Sequence, residues 1–216
     1  MNRAEIKEEA KQTLSGNWGI TIGVLLTYMI IVSLLTQTGI GYLVLGGAFE
    51  LGLAIFFLAL IRHKKLEFAL LFKGFNNFGK SLEAFLLKLL YVFLWTLLLI
   101  IPGIIAAYSY YMTFFILKDN PEISGSEAIR RSKEMMDGYK SELFILHLSF
   151  FGWFFLTVIT FGIAAFYVYP YFLAANAVFY QKLKDLNGET AETKKVKKDV
   201  DAELRKNELL EGGTIS

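Results

Sequence analysis

Four stretches of this chain run on without charge for longer than a soluble domain's core usually requires. Residues 18–38 hold no Asp, Glu, Lys or Arg, residues 40–61 hold only Glu50, residues 84–117 hold only Lys88, and residues 143–181 hold none. A bilayer core about 30 Å thick is crossed by about 20 apolar helical residues, whose backbone groups are satisfied within the helix itself. The four runs are therefore read as membrane-crossing helices. The rest of the composition agrees, with 19% charged and 16% aromatic residues and a mean hydropathy of +0.46. A soluble domain holds about 25% charged residues, and a disordered chain is far less apolar. The absence of cysteine excludes a disulfide framework, a thiolate metal site and a cysteine nucleophile. A net charge of +2 offers no footprint for nucleic acid.

The two longer runs exceed one crossing each. At about 1.5 Å per residue, residues 84–117 would make a helix roughly 51 Å long. Pro102-Gly103 and Gly162 are the expected breaks. The predicted architecture is all-α: a polytopic bundle of six spans at 18–38, 40–61, 84–101, 103–117, 143–161 and 163–181, with 103–117 short enough to be tilted or re-entrant. The basic residues support an even count. They fall in the segments before residue 18, at 62–88, at 118–142 and after 181, whereas the turns near 39, 102 and 162 carry no charge. Six spans place every basic segment on one side, which the positive-inside rule makes cytoplasmic, together with both termini. The charged, periodic first 17 residues and the long first apolar run read as a retained anchor, not a cleavable signal.

Each predicted hairpin follows a short stretch with amphipathic character, at 3–15, 66–78 and 124–138. The last has Ser124 and Glu127 in capping-box spacing, Gly138 as a stop, and Ala128, Ile129, Ser132, Met135 and Met136 on one helical face. In the first, Ile6, Ala10 and Leu14 share a face. The junctions are alike: Ser15-Gly16-Asn17-Trp18, Asn77-Phe78-Gly79-Lys80 and Asp137-Gly138-Tyr139-Lys140 each follow a lysine. This suggests three tandem units, each a helix lying in the membrane interface followed by a hairpin. Any snorkelling lysine beside an interfacial aromatic gives the same look without a repeat. Residues 183–216 read as a charged cytoplasmic tail, partly disordered or with one weak helix through Val196, Val200 and Leu204.

Few motifs carry chemistry. Gly74-Phe75-Asn76-Asn77-Phe78-Gly79-Lys80-Ser81 spells a phosphate-binding loop, but such a loop follows a buried strand, and here a membrane span follows an apolar stretch. His63 and His147 are the two histidines, and neither sits in a metal or hydrolase motif. No catalytic, cofactor or metal residues are expected. Glu50 is the most informative residue, because an ionised carboxylate in mid-span costs several kcal/mol unless it faces a cavity, pairs or is protonated. Tyr28 and Tyr108 are its candidate partners by depth, with Asn176 and His147 nearer the cytoplasmic end. Lys88 is expected to snorkel to the cytoplasmic surface. Gly19 with Gly23, and Ala48 with Gly52, permit close helix packing, within the monomer or across a dimer seam. Lys11, Lys73, Lys80, Arg130, Arg131, Lys133 and Lys140 form the candidate face for anionic headgroups or a partner.

From Asp119 to Trp153 the chain resembles the bacterial membrane-protein family called domain of unknown function 975. The residues that carry this are Asp119-Asn120-Pro121, Glu127-Ala128-Ile129, Ser132-Lys133, Met136, Gly138, Lys140, Leu143-Phe144, Leu148-Ser149-Phe150 and Gly152-Trp153. Arg3, Ile6-Lys7, Asn17-Trp18, Ile101-Pro102-Gly103-Ile104, Pro170-Tyr171 and Phe179-Tyr180 extend it over about residues 1–182. The resemblance implies a helical membrane protein, usually of Gram-positive bacteria, and no established activity. The fold class also looks similar to the membrane domain attached to some glycerophosphodiester phosphodiesterases, an analogy only. The expected function is a non-enzymatic scaffold or accessory subunit of the bacterial cytoplasmic membrane, in envelope, lipid or export processes. Its partners would be anionic lipids and a membrane protein or a second copy. The alternative is a small transporter or channel with a cavity lined by Glu50.

Overall fold

A computed structural model of the chain describes residues 2–212, and their side chains as far as residue 188. It divides into two units, Met1–Tyr180 and Gln181–Ser216. Among the described residues every regular element is helical. In chain order these are α1 (Arg3–Leu14), α2 (Trp18–Gln37), α3 (Gly41–Ile61), a 3₁₀ helix (Phe68–Asn77), α4 (Phe78–Leu98), α5 (Ile100–Ser109), α6 (Thr113–Asp119), α7 (Gly125–Met135), α8 (Lys140–Leu148), α9 (Phe151–Ile159) and α10 (Ala165–Gly212). The tail is helical as far as Gly212; the face expected for Val196, Val200 and Leu204 lies outside the described residues.

Five stretches are long and apolar enough to cross a membrane: Trp18–Gln37, Gly41–Ile61, Phe68–Leu98, Ile100–Asp119 and Lys140–Ile159. The sixth predicted span, 163–181, is not among them. It forms the start of α10 from Ala165, where several tyrosines and Asn176 dilute its apolar character. Burial is uneven in an informative way. The apolar window of α3 is 61% buried, against 17% for α2, for Phe68–Leu98 and for Lys140–Ile159. So α3 is the axis, and the helices around it turn large apolar side chains outward, among them Leu34, Phe93, Leu97, Phe155 and Val158. A soluble monomer rarely exposes so wide an apolar belt, and a lipid-facing surface accounts for it.

The breaks differ in part from those expected. The chain does break at Phe161 and Gly162, both at positive φ. In the other long run it breaks at Leu99, which is extended at φ −162° and ψ 147°, and not at Pro102. Pro102 instead lies in the first turn of α5, where a missing N–H costs nothing. Beside it, Gly103 lets α5 lie against Thr96 of α4, where a Cβ would collide. The segment expected as a short span at 103–117 is longer, Ile100–Asp119, and is jointed between α5 and α6. A similar joint at Ser149-Phe150 separates α8 from α9.

The three short amphipathic stretches all form helices, but the apolar stripes of α1 and α7 are buried against the chain's own helices, not laid on lipid. Ile6, Ala10 and Leu14 of α1 are buried, as are Ala128, Ile129, Ser132 and Met136 at α7, while Met135 is only half-buried. Each of these two helices seals one joint. The Lys7 ammonium donates to the Ser149 carbonyl at 3.0 Å and lies over the Phe150 ring. Burial, and less strongly the nearby Arg3 charge, hold its pKa below the usual lysine value. The buried Ser132 hydroxyl donates to the Ser109 carbonyl at 2.9 Å and accepts from the Met112 amide at 3.1 Å, at the α5–α6 joint. Backbone groups freed inside an apolar bundle need such partners. The N-terminus of α7 is held by the Ser124 cap, and by Glu83 of α4, whose carboxylate accepts from the Gly125 and Ser126 amides at 2.9 and 3.0 Å.

Candidate functional site

The axis helix carries the candidate site. Glu50 lies eleven residues before the end of α3 at Ile61, and Lys88 lies ten residues into α4 from Phe78. The start of α4 packs on the middle of α3, with Ser81 and Phe85 against Gly47, and this brings Lys88 within reach of Glu50. Lys88 Nζ and Glu50 Oε2 are 3.4 Å apart. Lys88 therefore does not snorkel to the surface as expected: α4 begins at Phe78, six residues earlier than the span predicted from 84, which sets Lys88 deeper in the bundle. Its ammonium also lies 5.1 Å from the centre of the Phe114 ring. Glu50 Oε1 accepts from the Tyr42 hydroxyl at 3.4 Å, and Tyr42 hydrogen-bonds Tyr28. Both contacts to Glu50 are longer than the 2.7–2.9 Å of a tight charge-assisted bond.

The pair faces a cavity of about 240 Å³ lined also by Tyr28, Tyr111, Tyr169 and Asn176 and by the apolar Leu53, Phe57, Phe114 and Leu173. The side chains of Glu50 and Lys88 each keep about a quarter of their surface exposed there. Tyr28 lines the cavity with Glu50. Tyr108 does not line it and makes a different contact, its hydroxyl lying 3.1 Å from Nδ1 of His147. His147 Nε2 in turn lies 2.7 Å from Oδ1 of Asn176, which donates from Nδ2 to the Phe172 carbonyl and also bonds Tyr111. The amide orientation makes Nε2 the protonated nitrogen and leaves Nδ1 to accept from Tyr108. Two polar strings thus converge on one cavity, one through Glu50 and one through Asn176.

The predicted cationic face is spread over several sites. On α7, Arg130 bonds Glu127 at 2.6 and 2.7 Å and Glu134 at 2.5 Å, and Arg131 bonds Glu127 at 2.8 Å. The two guanidinium groups hold the Glu127 pKa far below the usual glutamate value, at about 2. Lys140 pairs with Asp137 at 3.3 Å, and the Lys80 ammonium donates to the Pro121 carbonyl. Lys11 and Lys133 are exposed on α1 and α7, and Lys73 lies apart from both on the 3₁₀ helix.

The letters of the phosphate-loop motif have structural work of another kind. Gly74 fits against the Ala48 carbonyl and Gly52 against the Leu71 backbone, an interlock of the 3₁₀ helix with α3 that no Cβ would permit. Gly79 stands in open space inside α4, and Ser81 donates to the Phe78 carbonyl. Among the described residues no group of three His, Cys, Asp or Glu is placed to hold a metal.

The sequence profile of one family, described as a protein of unknown function (DUF975), matches residues 1–105 and 96–187. No curated protein and no solved structure matches the chain.

Proposed function

The chain belongs to the DUF975 family, and from that premise we propose that it is a six-crossing, non-enzymatic protein of the bacterial cytoplasmic membrane that binds a small zwitterionic solute between its helices, as a transporter or its solute-binding part. The six crossings are three hairpins with both termini cytoplasmic, the last crossing being the start of α10. The observation that carries the function is the Glu50–Lys88 pair facing a polar cavity. An unpaired ion at this depth is costly, so a ligand that separates the pair must replace both partners. A zwitterion does so: its ammonium meets Glu50 among the tyrosine and phenylalanine rings, and its carboxylate or phosphate meets Lys88. The length of the existing contact, 3.4 Å, makes that exchange cheaper than opening a tight bridge. A cavity of about 240 Å³ suits a solute of amino-acid size.

The scaffold reading draws on the outward polar faces of α1 and α7, but the arginines of α7 are already engaged by its own glutamates. The test is ligand-dependent thermal stabilisation of the purified protein in detergent, with amino acids and phosphoethanolamine as probes. At least one zwitterion is expected to raise the melting temperature in proportion to RT ln(1 + [L]/Kd). Glu50→Gln and Lys88→Met are each expected to weaken that binding at least tenfold. Shifts in both variants as large as in wild type, or no shift with any zwitterion, would remove the cavity as the working site and return the reading to a scaffold.

A further inference from the structure

At the C-terminal end of α3 a second pocket, of about 310 Å³, gathers five cations: Arg62, Lys64, Lys65, Lys73 and Lys118. Its floor is apolar and includes Ile55 and Leu58 of α3. Two of the cations are answered by carboxylates. Arg62 makes a bidentate bridge to Asp119 at 2.6 and 2.7 Å, and Lys65 pairs with Glu67 at 2.8 Å. Among the described residues no carboxylate pairs with Lys64, Lys73 or Lys118, so the pocket keeps three positive charges in excess.

Two helix C-termini, those of α3 and α6, open nearby, and each offsets about half a unit charge. That explains one of the three excess charges and not the others. The charge left over attracts an anion that several of these cations can share. The Arg62–Asp119 bridge adds rigidity, because it ties the end of α3 to the end of α6 and so holds Lys118 at the pocket that Lys64 and Lys73 also line. The lining between the cations is apolar, with Leu70 of the 3₁₀ helix beside Ile55, Leu58 and Ala59 of α3. Anionic charge above and hydrocarbon beside is the chemistry of a phospholipid.

We infer that this pocket binds the phosphate of an anionic glycerophospholipid, with Lys64, Lys73 and Lys118 as its ligands and the apolar lining of Ile55, Leu58 and Leu70 against the first part of the acyl chains. The site shares no residue with the Glu50 cavity, so it does not depend on what that cavity holds. Of the cations expected to face headgroups, Lys73 alone lines it. The signal in the sequence was the cluster Arg62, Lys64, Lys65 directly after a span; what could not be read was that Lys118, more than fifty residues on, closes the ring.

The test uses the full chain in nanodiscs and in mixed micelles, with bound phosphatidylglycerol counted by native mass spectrometry and affinity measured with a fluorescent phosphatidylglycerol. Wild type is expected to retain phosphatidylglycerol over phosphatidylcholine. The triple variant Lys64→Gln, Lys73→Gln, Lys118→Gln is expected to lose that preference, with affinity falling roughly 100-fold at low salt. The control Lys11→Gln, Lys133→Gln, equal in type and remote from the pocket, is expected to stay within about twofold of wild type. Retained preference in the triple variant, or an equal loss in the control, would overturn the site. Displacement of the lipid by glycerophosphate at equal concentration would overturn its lipid character, since the acyl contacts would then add nothing.

Discussion

Gly74 and Gly79 sit five residues apart in the same apparent motif and do opposite things. Gly74 lies against the Ala48 carbonyl of α3, and Gly79 has no neighbour within reach of a Cβ. A phosphate cradle would need both; helix packing needs only the first. Gly74→Ala is therefore expected to destabilise the protein by about 1–3 kcal/mol through overpacking against backbone. Gly79→Ala is expected to be neutral or to stabilise by up to about 1 kcal/mol, since it replaces a glycine in the first turn of α4 with open space around it. Thermal unfolding of the two variants in one detergent checks this. The same scale explains why Glu50 was legible in the sequence and its partner was not. A lone carboxylate in an apolar run announces itself, whereas Lys88 near the start of a run looks like an ordinary snorkelling lysine. Only the earlier start of α4, at Phe78, and its packing of Ser81 and Phe85 on Gly47 show that Lys88 comes within reach of Glu50. Asn176 was placed by depth only, nearer the cytoplasmic end, and Tyr111 gave no signal, because a single amide or phenol in a span does not say which neighbour it meets.

The elements were legible where local chemistry sets them. Ser124 caps α7 and the left-handed Gly138 follows its end as read, the stripes Ile6-Ala10-Leu14 and Ala128-Ile129-Ser132 are buried as their spacing requires, and the structure adds an Asn2 cap on α1. The joints were not legible, because Leu99, Tyr110 and Phe150 carry no mark of a helix end. Tertiary partners make them possible. The Ser132 hydroxyl serves two backbone groups at the α5–α6 joint, and the Lys7 ammonium serves one at the α8–α9 joint. Ser132→Ala leaves the Met112 amide and the Ser109 carbonyl without that partner in an apolar setting. It is expected to cost about 1–3 kcal/mol, far more than a surface Ser→Ala. The cost should register as a lower melting temperature, with the largest loss of amide-exchange protection at residues 109–113. An unchanged melting temperature would mean that α7 does not hold the joint.

At the scale of the whole molecule, one physical asymmetry organises the rest. Apolar side chains cover the outside of the helices around α3, charged segments lie at helix ends, and the two charges placed deep in the bundle pair beside a cavity. Both proposed sites depend on orientation: the cationic pocket must open to the leaflet that carries anionic lipid, and the cavity must lie between helices that cross. Since the chain has no cysteine, single cysteines placed by mutation report sidedness without background. The decisive measurement is labelling of such variants by a membrane-impermeant maleimide in intact cells, before and after permeabilisation. Gln37→Cys, Ile100→Cys and Ile163→Cys are expected to label from outside. Lys64→Cys and Lys133→Cys are expected to label only once the membrane is opened. Labelling of Lys133→Cys in intact cells would contradict an even number of crossings up to α7, and with it the common side assigned to every basic segment.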